Sequence, residues 1–337
     1  MHLVTGGAGF IGSHLVNRLV GMGQRVRVLD NFSSGKKDNL SDVENKIELI
    51  VGDILDPEAL KKAMTGAEVV FHQAALRSVP FSVENPVLVN RVNVEGTLNV
   101  LTAALQGGVR RVVYASSSSV YGNGNPLPLN EDQPPHPLSP YAASKLAGEH
   151  YCRIFTGLYG LQTVSLRYFN VFGPRQDPTS LYAAVIPRFI HSALRGEPLE
   201  IHGDGLQSRD FTYVDNVVSA NLLAAYSRHA TGGVFNIGQG RDHTLLDFIK
   251  ELQRVLGVEV RWVHTESRAG DVRHTRADLT RAERDLAYGA TVTFEEGVAK
   301  TAASLNRPYS FSRHERPGNG DPVQGTSMRA ATPRRAG

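Results

Sequence analysis

The chain has 337 residues, of which 41% are hydrophobic and 20% charged, with a formal net charge of +3. Such a chain has the composition of an ordinary globular protein and can bury a large core. The basic excess is small and scattered, which argues against a nucleic-acid partner, and no apolar run is long enough to cross a membrane. Cys152 is the single cysteine, which excludes an internal disulfide or a multi-cysteine metal site. His2, His14 and His72 show no ligand spacing, so no metal is expected. The first residues already read as a strand, which leaves no signal peptide and makes the cytoplasm the default location.

His2 to Thr5 is a short strand, followed by a glycine turn and a helix from Phe10 to Met22. Gly7-Ala8-Gly9-Phe10-Ile11-Gly12 fits the G-x-G-x-x-G spacing, and Gly6, Gly9 and Gly12 repeat at intervals of three. Missing Cβ atoms let the backbone approach a pyrophosphate, and the helix N-terminus offers amides and a positive dipole to it. The next strand, Arg25 to Asp30, ends on an acid. Asp30 is placed to accept from a ribose 2′-hydroxyl and to repel a 2′-phosphate, which favours NAD over NADP.

Ile47 to Val51 is a third strand, running to Gly52-Asp53, and Asp56-Pro57-Glu58 opens a helix with a capping acid and a proline at its first position. Val69 to His72 is a fourth strand, leading into Gln73-Ala74-Ala75; Asn93 to Leu105 is a helix closed by Gly107-Gly108; Arg111 to Ala115 is a fifth strand. A helix from Tyr141 to Tyr159 and a sixth strand, Val164 to Tyr168, complete the alternation. Strands alternating with helices predict an α/β fold, a Rossmann-type doubly wound parallel sheet covered on both faces. After about Asn170 proline and glycine recur. Short strands (Leu199 to His202, Val234 to Ile237, Val258 to Val263) mix with helices (Val214 to Tyr226, Thr244 to Leu256). The expected division is a dinucleotide-binding domain over 1–170, a smaller α+β substrate-binding lobe over 171–306 that closes over the sheet, and a disordered tail over 307–337.

Two stretches carry candidate chemistry. Tyr141 and Lys145 lie four apart at the head of a helix, after Ser139-Pro140, and so share a face. A lysine ammonium with a nicotinamide cation nearby favours the phenolate and makes the tyrosine a usable base near neutral pH. Ala115 to Gly122 holds four serines at the carboxyl end of the fifth strand, over the cofactor in such a fold. A hydroxyl there can relay a substrate proton, and the residues alone leave open which serine does so.

Together these pieces resemble the extended short-chain dehydrogenase/reductases of the NAD-dependent epimerase/dehydratase family, over about residues 1 to 305. The resemblance rests on Thr5 to Gly12, Asp30-Asn31-Phe32, Gly52-Asp53-Ile54, Gln73-Ala74-Ala75, the serine run, Tyr141 with Lys145, Arg167 to Arg175, Gly203-Asp204-Gly205 and Ser208-Arg209-Asp210-Phe211. It implies that Gly6, Gly9, Phe10, Ile11, Gly12, Asp30, Asn31, Asp53, Ile54, Ala74, Ala75, Asn93, Tyr141, Lys145 and Tyr168 hold the dinucleotide, with Asp53 and Ile54 at the adenine. It implies Ser117 as the catalytic serine, Tyr141 as the base, and Lys145 at the nicotinamide ribose. It implies substrate contacts from Asn170, Arg209, Arg268 and Asp271 to a diphosphate and ribose, and from Ser117, Ser118 and Val185 as well. Guanidinium groups suit a diphosphate because they bind it in bidentate fashion.

Family dehydratases carry Thr-Asp-Glu where this chain has Ser117, Ser118 and Ser119, so elimination of water is not expected. The likeness is closest to bacterial UDP-N-acetylglucosamine and UDP-glucose 4-epimerases, and it implies an NAD-dependent 4-epimerase working through a 4-keto sugar. Thr275 stands where epimerases restricted to plain hexoses carry tyrosine, and Ala184 where they carry asparagine. Both small residues imply room for an N-acetyl group. Arg77 departs from the pattern, since N-acetyl-preferring relatives have glycine there and plain-hexose ones lysine; it suits UDP-glucose or a uronate carboxylate, the latter together with Arg273. A UDP-glucuronate 4-epimerase or decarboxylase is therefore the nearest rival, and a catalytically silent NAD-binding regulator the remote one. The likeness also implies a homodimer, formed by pairing the helices Asn93 to Leu105 and Tyr141 to Tyr159.

Overall fold

The computed structural model describes residues 1–178, 184–266 and 272–306. Arg268 and Asp271, expected at the substrate, and the expected tail over 307–337 lie outside the described residues. Six parallel strands, His2–Thr5 (β1), Val26–Asp30 (β2), Ile47–Val51 (β3), Val69–His72 (β4), Arg111–Ser117 (β5) and Gln162–Tyr168 (β6), join Val234–Ile237 in one seven-stranded sheet. Its order is β3-β2-β1-β4-β5-β6 and then Val234–Ile237, with every neighbouring pair parallel. The direction of winding reverses between β1 and β4, which opens a crevice at the carboxyl ends of the strands.

Every residue of β1, β2 and β4 is buried, as expected of strands covered on both faces. Alternate side chains feed two cores. Val4, Val28, Phe71 and Val113 pack with Leu15, Val16 and Leu19 of the helix Phe10–Gly21 (α1) and with Val217 and Val218 of the helix Val214–Tyr226. Leu3, Leu29, Val70 and Val112 pack on the other face with Leu60 of Pro57–Met64 (α2), Val100 and Leu101 of Gly96–Gln106, and Cys152 and Phe155 of Pro140–Tyr159. Cys152 is packed in that second core, and burial pushes its thiol up to about 12, so it is not a reactive group.

Three elements differ from the expectation. Val234–Ile237 extends the main sheet beside β6 instead of standing among the short strands of the second half. The strand expected over Val258 to Val263 is Trp262–Thr265, which pairs in parallel with Leu199–His202 and is exposed throughout; half-exposed Trp262 and Val263 give no alternation to set its register. The helix expected from Asn93 follows an uninterrupted helical path from Pro86 through a π-turn at Arg91–Glu95 to Gln106. Its first turns expose Val87 and Leu88 and so lack the amphipathic signature. The π-turn aims Asn93 inward, where it is buried. Met1–Asn306 forms one compact unit. Among the described residues, no helix is long and apolar enough to cross a membrane, and no group of side chains has the makings of a metal site.

A buried hydrogen-bond chain ties the crevice to these layers. The Ala74 amide and Thr5 Oγ1 lie 3.4 Å apart, Thr5 Oγ1 meets His72 Nδ1 at 2.8 Å, and His72 Nε2 meets Thr97 Oγ1 at 3.0 Å. Thr97 in turn donates to the Asn93 carbonyl at 2.6 Å. Burial, aided by the Lys145 charge, pushes the His72 imidazole down to about 3, so it is neutral in the fold. In the unfolded chain the same ring takes its proton near pH 6.5, so protons favour unfolding across that interval and stability falls as pH drops from about 6.5 toward 3. The melting temperature should therefore fall between about pH 7 and about pH 5, and His72→Gln, although less stable at pH 7, should lose less over that range. Equal losses in the two proteins would contradict the linkage.

Candidate functional site

Residues at the carboxyl ends of β1 to β6 converge on a cavity of about 480 Å³. At the end of β1 the chain turns through Gly6 at φ +69°, where an added Cβ would meet the Ala74 amide nitrogen at 2.7 Å. A Cβ on Gly12 would lie 2.1 Å from the Gly6 carbonyl oxygen. The turn is therefore closed to side chains, and a phosphate can approach its backbone. Gly9 caps α1 without a side-chain hydrogen bond, so the first helical amides are left to a ligand. Phe10 and Ile11 also line the cavity. These features fit a bound dinucleotide.

Asp30 lines the same cavity and also braces the turn: its carboxylate accepts from the Ala8 amide at 2.9 Å and the Phe32 amide at 2.8 Å. Burial raises its pKa and the two amides pull it back. Asn31 donates to Asp53 at 2.7 Å, and Asp53 accepts from the Leu55 amide at 2.8 Å. Together with Ile54 they form the wall at β2 and β3. Ala74 and Ala75 form the wall at β4. Asn93, expected at the dinucleotide, is buried behind that wall and is not among the residues that line the cavity. Its side-chain oxygen accepts from the Leu76 amide at 2.8 Å, and its nitrogen donates to the Leu76 carbonyl at 2.9 Å and to Ser144 Oγ at 3.0 Å. It therefore fixes the segment beside the cavity to the helix that carries Tyr141.

That helix, Pro140–Tyr159, begins at Ser139, whose side chain accepts from the Ala142 amide, with Pro140 at the first position. Its Tyr141 amide donates to Ser82 Oγ at 3.2 Å. Two turns on, buried Glu149 holds Arg167 of β6 in a two-point ion pair at 2.9 and 2.8 Å and accepts from Ser116 at 2.5 Å. Among the described residues Arg167 Nη1 has no hydrogen-bond acceptor, and the guanidinium lies 4.6 Å from the Tyr121 ring centroid. These bonds set the height of the helix against the serine strand.

Ser116 is thus turned to Glu149. Ser117 Oγ accepts from Ser119 Oγ at 2.9 Å and from the Ser119 amide at 3.2 Å, and it lines the cavity together with Tyr141. Ser118 also lines the cavity. Burial raises the Tyr141 pKa, while the Ser117 hydrogen bond and the Arg77 charge draw it down. Lys145 Nζ lies 5.9 Å from the Tyr141 ring centroid, donates to the Ala115 carbonyl at 2.8 Å, and is pushed down to about 8 by burial. Tyr168, the other cavity phenol, hydrogen-bonds Gln73 and Asn221 and is pushed up to about 12 by burial, so it stays neutral.

On the far side of the cavity stand Asn170, Arg209 and Thr275, with Thr275 Oγ1 3.4 Å from Asn170 Oδ1. Arg77 completes the wall near Tyr141. Ala184 is exposed at the cap of the helix Val185–Leu194, and neither it nor Val185 is among the cavity residues. Gln73, Gln176 and Val272 line the cavity without a sequence signal of their own; Gln73 and Val272 sit inside motifs whose neighbours point to the site. Asp210 lies in a motif that the sequence singles out, but its own part is not legible there, because nothing local shows that the acid is buried. It is fully buried and accepts from the amides of Gln239 at 2.6 Å, Gly240 at 2.9 Å and Ala277 at 3.1 Å, which fixes the backbone between Arg209 and Thr275.

A doubly wound sheet with a glycine turn at the switch point and a Ser-Tyr-Lys set over the same crevice defines a dinucleotide-dependent enzyme of the short-chain dehydrogenase/reductase type. The chain belongs to the NAD dependent epimerase/dehydratase family, whose model matches residues 2–238. It is 41% identical over 308 residues to the UDP-glucose 4-epimerase of Mycolicibacterium smegmatis, an alignment covering 89% of this chain and 96% of the relative. Its structure is similar to the UDP-N-acetylglucosamine 4-epimerase of Methanobrevibacter ruminantium in complex with UDP-N-acetylmuramic acid (40% identity, TM-score 0.87, covering 90% and 97% of the chains). It is also similar to the UDP-glucuronic acid 4-epimerase of Bacillus cereus in complex with UDP-glucuronic acid and NAD (33% identity, TM-score 0.85, covering 91% and 99%).

Removing the Asp210 carboxylate leaves three amides without their acceptor. Asp210→Ala should therefore lower stability by about 2 kcal/mol or more, as thermal or urea unfolding would show. A change under about 0.5 kcal/mol would mean that these amides find other partners.

Proposed function

We propose that the protein is an NAD-dependent UDP-sugar 4-epimerase that interconverts UDP-N-acetylglucosamine and UDP-N-acetylgalactosamine, and UDP-glucose and UDP-galactose as well. The observation that carries this reading is that Ser117, Tyr141 and Lys145 meet on the wall of one cavity continuous with the glycine turn. Among the described residues the only carboxylates lining that cavity are Asp30 and Asp53, at β2 and β3, away from Tyr141. A proton can therefore be taken at the sugar, but no acid stands ready to eliminate water.

In this reading Gly6, Gly9, Gly12, Phe10 and Ile11 hold the pyrophosphate, Asp30 and Asn31 the ribose, Asp53 and Ile54 the adenine side, and Ala74, Ala75, Lys145 and Tyr168 the nicotinamide half. NAD, when bound, supplies a reversible hydride acceptor at the sugar C4. Tyr141 takes the proton of the 4-hydroxyl, directly or through Ser117, and returns it after the sugar has presented its other face. Lys145 orients the site from beneath. Asn170 and Arg209 bind the diphosphate, with Arg268 and Asp271 assigned to the same task by family resemblance alone. Thr275 leaves room beside C2 because its side chain is small. Residues 171–306 are the substrate side of this division of labour, and the cytoplasm is the expected location.

Purified protein, with no NAD added, should convert UDP-N-acetylglucosamine to its galacto epimer, read by chromatography or NMR. Conversion of UDP-glucose alone would keep the chemistry and remove the argument from Thr275. Tyr141→Phe should lower kcat by about 100-fold or more. Arg77 on the cavity wall, and the likeness to a uronate epimerase, favour UDP-glucuronate as the second substrate to assay, for epimerised and decarboxylated products. Turnover of none of these sugars, with NAD bound, would leave the silent regulator.

We also infer a homodimer. Val87 is 81% exposed and Leu158 74% exposed, and Val83, Leu88 and Ile154 are open as well, all on the helix Pro140–Tyr159 or on the short helices packed against it. So many exposed aliphatic side chains on neighbouring helices need a covering surface, and a second copy supplies the same one. Leu158→Glu should shift the protein from dimer to monomer in analytical ultracentrifugation; a wild-type monomer would refute the pairing.

A further inference from the structure

Arg77 sits in a short turn that is fixed at both ends. On one side Leu76 is clamped through its amide and its carbonyl by Asn93. On the other, Ser78 caps the helix Val79–Glu84, accepting from the Phe81 amide at 3.2 Å. From that helix the fully buried Ser82 accepts from the Tyr141 amide and donates to the Val79 carbonyl. The turn that presents Arg77 and the helix end that presents Tyr141 are thus bolted together, and both side chains face one cavity. Among the described residues Arg77 has no carboxylate partner.

The groups around Tyr141 decide what such a charge does. Ser117 reaches it from the end of β5, with Ser119 behind. The phenols of Tyr114 and Tyr168 feel its charge, and both are neutral because burial raises them. Lys145 stands below the ring on the same helix, its ammonium is tied to the Ala115 carbonyl, and burial pushes it down to about 8, so its charge is lost as pH rises past that point. A guanidinium keeps its charge throughout. Resting on the proposed role of Tyr141 as base, we propose that Arg77 is the fixed cation that keeps Tyr141 available as a phenolate, positioning charge from the cavity wall while Lys145 acts from below. A lysine or a glycine at this position would change how strongly the tyrosine is held as a base, and so the pH range of catalysis.

The test reads Tyr141 directly. Tyrosinate ultraviolet absorbance of the NAD-loaded protein is followed against pH, with the Tyr141→Phe protein subtracted, in wild type, Arg77→Gln and Arg77→Lys. Arg77→Gln should raise the Tyr141 midpoint by roughly half a pH unit or more, less than a fully buried pair would give because Arg77 is open to solvent. Arg77→Lys should stay close to wild type near neutral pH. The acid limb of kcat against pH should move with the midpoint in Arg77→Gln and recover at higher pH, whereas a packing defect would lower kcat at every pH. An unchanged midpoint in Arg77→Gln, or a midpoint in Arg77→Lys displaced as far as in Arg77→Gln, would overturn the proposal. Absence of turnover on every UDP-sugar would sink the epimerase reading and leave the titration to judge Arg77 alone.

Discussion

The site depends on a chain of buried hydrogen bonds from the first strand to the helix that carries Tyr141. Thr5, His72, Thr97 and Asn93 link β1 and β4 to the long helical path from Pro86, and Asn93 then grips Leu76 and Ser144 together. Ser144 donates to the Tyr141 carbonyl at 2.7 Å. The neutral His72 suits the run, since Nε2 donates to Thr97, which spends its own proton on the Asn93 carbonyl, and Nδ1 is left to accept from Thr5. Burial imposes that state. The same run places the glycine turn, through the close approach of Gly6 to Ala74, and the tyrosine, so the dinucleotide crevice and the proton-transferring group share one scaffold.

A second lock sets the depth of that helix. The Glu149–Arg167 pair is buried and joined by Ser116, so one member of the serine run is turned away and Ser117 is left to meet Tyr141. A buried ion pair is weak evidence of added stability, because desolvation offsets most of its attraction. Its service in this fold is register: the pair has one geometry, and that geometry decides which hydroxyl faces the phenol. On the substrate side Asp210 plays the corresponding part, since its amide contacts hold Arg209 and Thr275 within one pocket.

Much of this is legible in the sequence, for physical reasons. Parallel strands buried on both faces write continuous apolar runs, and glycines that a Cβ would block stand out at their spacing. Tyr141 and Lys145, four apart behind a capping serine and proline, announce a helix face. The rest depends on partners far away in the chain. The grip of Asn93 on Leu76 and Ser144 is not legible, because nothing local shows that a π-turn sends this residue into the protein. Val234–Ile237 has the pattern of any short buried strand, and only pairing with β6 assigns it to the main sheet. Spacing alone suggests a pull of Lys145 on Tyr141, but it does not show that the ammonium also donates to the Ala115 carbonyl or that Arg77 reaches the same cavity from another turn. Ala184, expected at the sugar, is an exposed residue at the cap of the helix Val185–Leu194 and does not line the cavity.

The central step is the departure of a hydride from C4 of the sugar and its return to the same carbon without meeting solvent. The most direct measurement uses UDP-N-acetylglucosamine carrying deuterium at C4, turned over in ordinary water, with the product followed by mass spectrometry and NMR. Full retention of deuterium at C4 of the galacto product is the predicted result. Replacement of that deuterium by solvent hydrogen would show that C4 loses a proton and not a hydride, and would contradict the roles of Tyr141 and the dinucleotide crevice.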